Sequence, residues 1–439
     1  MTMEKTEKAT ERELNINVHH VTRLEGHGNI VVNVRKGRLE KAELQIVESP
    51  RFFESILLGR KWHEAPYITS RICGICAVGH AQASIDALEA AFDITPSRQT
   101  LRLRKLLLHA EMMQSHWLHI FFLAAPDFFG AGSAIALVDD HPELVRSALR
   151  LKKLANDLAD LICGRKVHPV SMKVNGFSMI PDESELARVR KRLIAARDDV
   201  SAAVDLFAAL DIPDFDRETE YVALYRPDQY AWIDGRLRTT DGYEYPVQQY
   251  RDLTNERVVR HSTAKHTRHA RDSYMVGALA RTKINFSLLR PEATEAAYQL
   301  GLSPDTVNPY MNNVAQLVES IHCLEDSIER IEDILTAGLR EERREVDVRA
   351  GRGVGAAEVP RGVLFHDYEI DDEGTIVDAN CIIPTAQNLG NIEADMRALI
   401  PEIMHRSEED ITLALEMLVR AYDPCISCST HLLDVSFVK

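Results

Sequence analysis

The sequence predicts an α+β fold that is mainly helical, a central bundle of long helices carrying small β layers. Three observations lead there. Six stretches repeat apolar residues every three or four positions, a short N-terminal stretch alternates apolar and polar residues, and two cysteine pairs sit at opposite ends of the 439-residue chain. A site that used both pairs would close a loop over nearly the whole length. We therefore expect a single interwoven domain over 1–439, with a β-rich N-terminal layer at 1–70, a helical body at 71–345, a β/loop segment at 346–390, and a C-terminal helix with the second cysteine clip at 391–439.

In chain order, Asn29 to Val47 alternates around Lys36-Gly37 and reads as a β-hairpin. Helical spacing covers Cys76 to Phe92, Arg102 to Leu123, Leu144 to Ile162, Glu183 to Leu210, Met311 to Leu339 and Glu408 to Ala421. Ser407 is placed to cap the last of these, with Asp410 three positions on. Pro213 to Val258 and Ala350 to Thr385 mix Pro, Gly and short β-like runs and read as long connections or small β layers.

Composition narrows the function. A net charge of −15 disfavours nucleic acid or an anionic membrane surface as the main partner, because both call for neutralising Lys/Arg patches. The basic run Leu101 to Lys105 reads as a solvated helix face. No run approaches the length of a membrane span, and the charged N-terminal stretch does not read as an export signal. Seven cysteines are too few for a disulfide-built fold, which makes a reducing compartment the expectation. Cys163, Cys323 and Cys381 are scattered and read as buried packing residues.

The pairs in "SRICGICAVGH" and "YDPCISCSTH" have the spacing of metal or redox clips. When the second cysteine of such a pair opens a helix, both sulfurs face one way and the helix-terminal N–H groups favour thiolate. Gly74 relaxes the backbone of the first clip, and Asp423-Pro424 stops the preceding helix to present Cys425 and Cys428 as a turn. Four thiolates suit a soft metal. A structural zinc site with four cysteine ligands also fits the residues, although zinc clips usually lie tens of residues apart. Thiol–disulfide exchange fits less well in a helical chain of this pattern.

"RICGICAVGH" and "DPCISCSTH" resemble the two metal-binding signatures of the nickel-iron hydrogenase large subunit. Further matches run in order: "TRLEGHG" from Thr22, "RFFESILLGR" from Arg51, "GRKVHP" from Gly164, "HSTAK" from His261, "YMVGALAR" from Tyr274, "PRGVLFHD" from Pro360 and "IIPTAQN" from Ile382. The resemblance implies a nickel-iron centre with carbon monoxide and cyanide on iron, and reversible heterolytic cleavage of H2. By position, Cys73 and Cys425 would bind nickel terminally while Cys76 and Cys428 bridge nickel and iron. It further implies that Cys425 takes the proton and passes it to Glu25, that Arg361 overhangs the open metal position with Asp423 orienting it, and that Thr385 hydrogen-bonds a cyanide. Glu54, His431 and the main-chain carbonyl of Cys381 would hold Mg2+ (or Fe2+) near the C-terminus.

Other residues receive plainer readings. His80 and His168 are expected in packing or supporting roles, and His261, His266 and His269 on a solvated basic face. Ser115 stands where some relatives carry an Asp that contributes to the network around the arginine. Three dispersed cysteines cannot hold an iron-sulfur cluster in this chain. The resemblance thus implies an obligate small subunit carrying iron-sulfur clusters. The wording of "RFFE", "PTAQN" and "DPCISCS" further implies the cytoplasmic branch, with additional subunits for NAD(P) or another soluble acceptor. Relatives are trimmed by a maturation protease after the residue matching His431. Two other readings stay in play: a metal-free quinone-site coupling subunit of the related respiratory complex, whose lineage lacks the four cysteines, and a structural zinc scaffold subunit.

Overall fold

The computed structural model describes residues 13–342 and 345–430. Strands β1 (Leu14–Val18), β2 (Gly28–Arg35) and β3 (Arg38–Ile46) form an antiparallel sheet in that order. Its hairpin turns at Lys36 and Gly37, both at positive φ (48° and 67°), the backbone that a two-residue turn needs to match strand twist. Short helix α1 (Phe53–Leu57) follows, and the first clip leads into α2 (Ala77–Phe92).

The helical body is built on α3 (Arg98–Leu118), which packs between α4 (Pro142–Cys163) and α5 (Asn312–Ala337). Ser97 caps α3 by accepting from the Thr100 N–H. A π-helical stretch, His119–Ala124, extends it to the predicted end. The stretch read as one helix from Glu183 to Leu210 is two, Glu183–Ala195 and Arg197–Ala208. The run Leu101 to Lys105 is not a solvated face. Arg104 is fully buried, with Nη1 and Nη2 2.8 and 2.6 Å from the Glu89 carboxylate, and Lys105 Nζ donates to Gln229 at 2.8 Å. Its partners lie elsewhere in the fold, so nothing local marks these cations as internal.

Strands β4 (Gly351–Val359), β5 (Gly362–Ile370) and β6 (Ile376–Ile382) make a second antiparallel sheet. Helix α2 lies directly on β4. A Cβ at Gly353 would stand 2.1 Å from the Ala87 carbonyl oxygen, and one at Gly355 2.1 Å from that of Ala83, so glycine lets helix and strand backbones touch. Helices α6 (Pro384–Ile403) and α7 (Glu408–Ala421) follow, the latter capped by Ser407 as expected, and one helical turn, Ile426–Ser429, carries the second clip. Among the described residues no helix is long and apolar enough to cross a membrane.

Candidate metal centre

Both clips meet in the interior. Cys73, Cys76, Cys425 and Cys428 are each 4 % exposed or less, and the sulfurs of Cys73 and Cys425 lie 3.6 Å apart across 352 positions of sequence. Ligand atoms of Cys73, Cys425 and Cys428 fall within 4.8 Å of one another, and Cys76 touches Cys73 from the same turn. The Cys425 and Cys428 sulfurs lie side by side in one turn, and metal binding requires both as thiolates.

The first clip owes its shape to the start of α2. The Ile75 and Cys76 amides donate to Cys73 Sγ at 3.3 and 3.1 Å. Burial resists the thiolate of Cys73, but the Cys76 thiol, the Arg361 charge and these two N–H groups outweigh it and lower the pKa to about 7. Cys76 moves the other way, raised by its contact with Cys73 and by burial. The first turn of α2 has no side-chain cap of its own. Glu111 supplies one from α3, accepting from the Val78 and Gly79 amides at 2.6 and 3.0 Å, while burial pushes its carboxyl up to about 8.

In the second clip, α7 stops at Ala421 and Asp423 takes φ 50°, a left-handed turn that redirects the chain through Pro424. The Glu25 carbonyl accepts from the Ile426 N–H at 2.9 Å. Glu25 Oε2 accepts from the Ser427 N–H at 3.1 Å and stands 3.2 Å from Cys425 Sγ. Gly26 allows this approach: at φ 83°, a Cβ there would meet Ile426 and Ser427 at 2.8 Å. Thr385, in the first turn of α6, accepts from the Cys425 N–H at 3.0 Å, and a hydroxyl that accepts can still donate its own hydrogen.

Arg361 comes from the β4–β5 turn. Its Nε donates to the Asp423 carbonyl at 2.5 Å and Nη2 to Asp423 Oδ1 at 2.8 Å, while the buried Nη1 has no hydrogen-bond partner among the described residues. Burial works against its charge, yet Asp423 and the two thiols of the first clip raise its pKa further. Asp423 is held from behind by Gln316, whose Nε2 donates to Oδ2 at 3.1 Å and whose Oε1 meets His119 Nδ1 at 2.5 Å. Ser115 is buried with Oγ unpartnered among the described residues, so the amide of Gln316 supports this pair.

A second cluster lies at Glu54. Its carboxyl is buried, which raises its pKa, and its Oε1 accepts from the Cys381 N–H at 2.9 Å. Cys381 meets Glu54 through its amide, and its thiol is buried like those of Cys163 and Cys323. The Lys265–Glu256 pair, joined at 3.1 Å, acts electrostatically on Glu54. His431 lies outside the described residues; its neighbour Thr430 accepts from the Arg51 N–H at 3.0 Å. Sequence reasoning missed Glu111, Gln316, Glu256 and Lys265. It also missed the clasp made by Arg51, which donates to the carbonyls of Ile72 (2.6 Å), Arg71 (3.0 Å) and Ser427 (3.4 Å) and so ties the two clips together.

His80 packs in the core, its Nδ1 3.2 Å from His366 Nε2, and His168 meets the Ser70 carbonyl at 2.8 Å. The three histidines expected on a solvated face are not there. His266 is 2 % exposed, His261 Nε2 lies 2.6 Å from Glu393, and His269 Nδ1 lies 2.7 Å from Glu220. Carboxylates distant in sequence hold two of them, and the third is buried beside Gly390 of α6, its main chain paired with that of Arg257.

Four buried cysteine sulfurs beside a carboxylate and a guanidinium donor unpartnered among the described residues are the groups a redox-metal site can use, and a structural zinc knot would have no use for the last two. The model of the nickel-dependent hydrogenase family matches residues 51–147 and 217–431, and a HoxL-like model matches 15–49. The chain is 33% identical over 420 residues to the alpha subunit of sulfhydrogenase 1 from Pyrococcus furiosus, covering 95% of this chain and 98% of that one. It is 28% identical over 471 residues to the beta subunit of the NAD-reducing hydrogenase HoxS from Cupriavidus necator, 94% of each. Its fold superposes on an NAD+-reducing [NiFe]-hydrogenase in the H2-reduced state with a TM-score of 0.84 at 28% identity, over 95% of this chain and 99% of that one. The chain belongs to the nickel-dependent hydrogenase family and is a nickel-iron hydrogenase large, catalytic subunit, an oxidoreductase acting on H2. The family implies a nickel-iron centre and assembly with other subunits; nothing favours the quinone-site or zinc-scaffold readings.

Proposed function

We propose that Cys73, Cys76, Cys425 and Cys428 would hold a nickel-iron centre, Cys73 and Cys425 as ligands of nickel and Cys76 and Cys428 as ligands of both metals, and that its iron would carry carbon monoxide and cyanide. Bound there, the pair supplies the heterolytic cleavage of H2. The rest is work for this chain's own groups. Cys425 Sγ receives the proton and hands it to Glu25 Oε2, 3.2 Å away and fixed by the Ser427 N–H. Arg361, anchored by Asp423 on Nε and Nη2, offers its unclaimed Nη1 as a charged donor over the site, and Thr385 offers its hydroxyl hydrogen. The observation that carries this reading is the position of Cys425 Sγ, between Cys73 Sγ at 3.6 Å and Glu25 Oε2 at 3.2 Å, sulfur from both ends of the chain beside one proton acceptor.

Glu54, with the main chain at Cys381 and His431, would hold Mg2+ (or Fe2+); a buried carboxylate and so small a set of protein ligands suit a hard cation that keeps several waters. Electrons leave through an iron-sulfur small subunit, since the remaining cysteines are dispersed and buried. Likeness to the NAD+-reducing structure supports the cytoplasmic branch with further subunits for NAD(P) or another soluble acceptor, and a maturation protease acting after His431 belongs to the same reading. The fold works as one interwoven unit, because neither clip is complete without the other. Metal analysis with infrared spectroscopy of the purified complex tests the assignment. Nickel and iron together with carbon monoxide and cyanide stretching bands are expected, and zinc alone, or no metal, overturns it.

A further inference from the structure

Away from the cysteines, the loop between Arg257 and His266 brings two imidazoles against α6. Ligand atoms of His261, His266 and Glu393 all lie within 4.8 Å of one another. Glu393 is 3 % exposed and fixed at both oxygens, Oε1 by the Leu44 N–H at 3.2 Å and Oε2 by Arg397 at 3.1 Å. His261 Nε2 faces Glu393 Oε1 at 2.6 Å, while its Nδ1 faces Glu43 Oε1 at 3.9 Å. His266, 2 % exposed, has an Nε2 with no hydrogen-bond partner among the described residues.

These observations fit a ligand set better than an ion pair. A second imidazole contributes nothing to a His–Glu pair, and a buried ring nitrogen left unpaired costs free energy unless something claims it. A carboxylate facing the far nitrogen of a ligating histidine is the usual way to fix its ring and raise its basicity. His261 is about one-fifth exposed, which gives an ion a way in.

We propose that His261, His266 and Glu393 form a binding site for one borderline divalent cation of the zinc class, separate from the cysteine centre. Two imidazoles and one carboxylate leave a fourth position for water. The ion would join the 257–266 loop to α6 eight residues beyond Thr385, ~12 Å along the helix. It thereby braces the element whose first turn positions Cys425.

The test uses the complete complex, treated with a mild chelator that leaves nickel in place and titrated with Co2+, read by its visible d–d absorption, then with Zn2+ in competition. One Co2+ per chain is expected, displaced by Zn2+. His266→Gln and, at the more exposed ring, His261→Gln should abolish the absorption with nickel content unchanged, Glu43→Gln should weaken binding roughly 10-fold or more, and Glu54→Gln should leave it intact. Absence of a Co2+ signal in the wild-type complex, equal binding in the histidine variants, or loss of binding in Glu54→Gln each overturns the proposal.

Discussion

Glu25→Gln is the substitution that separates the proton exit from the metal site. The Glu25 main chain is tied to the second clip by the bond from the Ile426 N–H at 2.9 Å, and a glutamine oxygen can keep accepting from the Ser427 N–H. Exchanging a charge-assisted bond for a neutral one costs about 1 kcal/mol, too little to unseat the loop. What is lost is the titratable oxygen 3.2 Å from Cys425 Sγ. Removing a positioned acid/base group slows a proton-transfer step by ~10² to 10⁴-fold, equivalent to about 3–5 kcal/mol of barrier. The assay is H2/D2O exchange followed by mass spectrometry, beside nickel content by elemental analysis. We expect full nickel and exchange slowed at least ~100-fold. Wild-type exchange with full nickel would refute the relay, because a proton leaving Cys425 would then be using another acceptor.

Arg361→Lys surrenders the fork on Asp423 and the free Nη1 together; H2 oxidation should fall ~10²–10³-fold at unchanged nickel content. Asp423→Ala strands the buried Arg361 charge and should lower stability by about 3–5 kcal/mol, read as a shift in the urea midpoint. Gly355→Ala drives a Cβ to 2.1 Å from the Ala83 oxygen and 2.5 Å from the Ala87 nitrogen, both main-chain atoms; a loss of about 1–3 kcal/mol or more is expected in the same measurement. Buried His322 titrates at about 4 in the fold against 6.5 for a free histidine, burial being the chief cause, so the unfolded chain takes up the proton first. Its contribution is complete above pH 6.5 and is lost as pH falls towards 4, by about 3 kcal/mol; His322→Gln should flatten the stability curve in that window.

The parts legible in the sequence are those whose signal is local. The Lys36-Gly37 turn, the Ser407 cap and the cysteine clips each announce themselves within a few residues, and the structure has all of them. Helix α6 was hidden because it is buried on nearly every side. Gln387, Asn388, Asn391 and Asp395 point inward with the apolar residues, which erases the amphipathic stripe, and Pro384 and Pro401 suggest a loop. Arg104, His261 and His269 were misplaced for a related reason: such a side chain reads as exposed until its carboxylate is found, and here the carboxylates come from Glu89, Glu393 and Glu220. Glu111 and Gln316 carry no mark at all in sequence. Each is an ordinary polar residue of a long helix until the first clip or Asp423 is laid beside it.

Joining Cys73 to Cys425 across 352 positions also sets a timetable. A ribosome adding roughly 5–20 residues per second needs about 20 to 70 s to travel from the first clip to the second. Throughout that interval the early cysteines exist without their partners. A centre that draws on all four cysteines can therefore be completed only after Cys428 has been added.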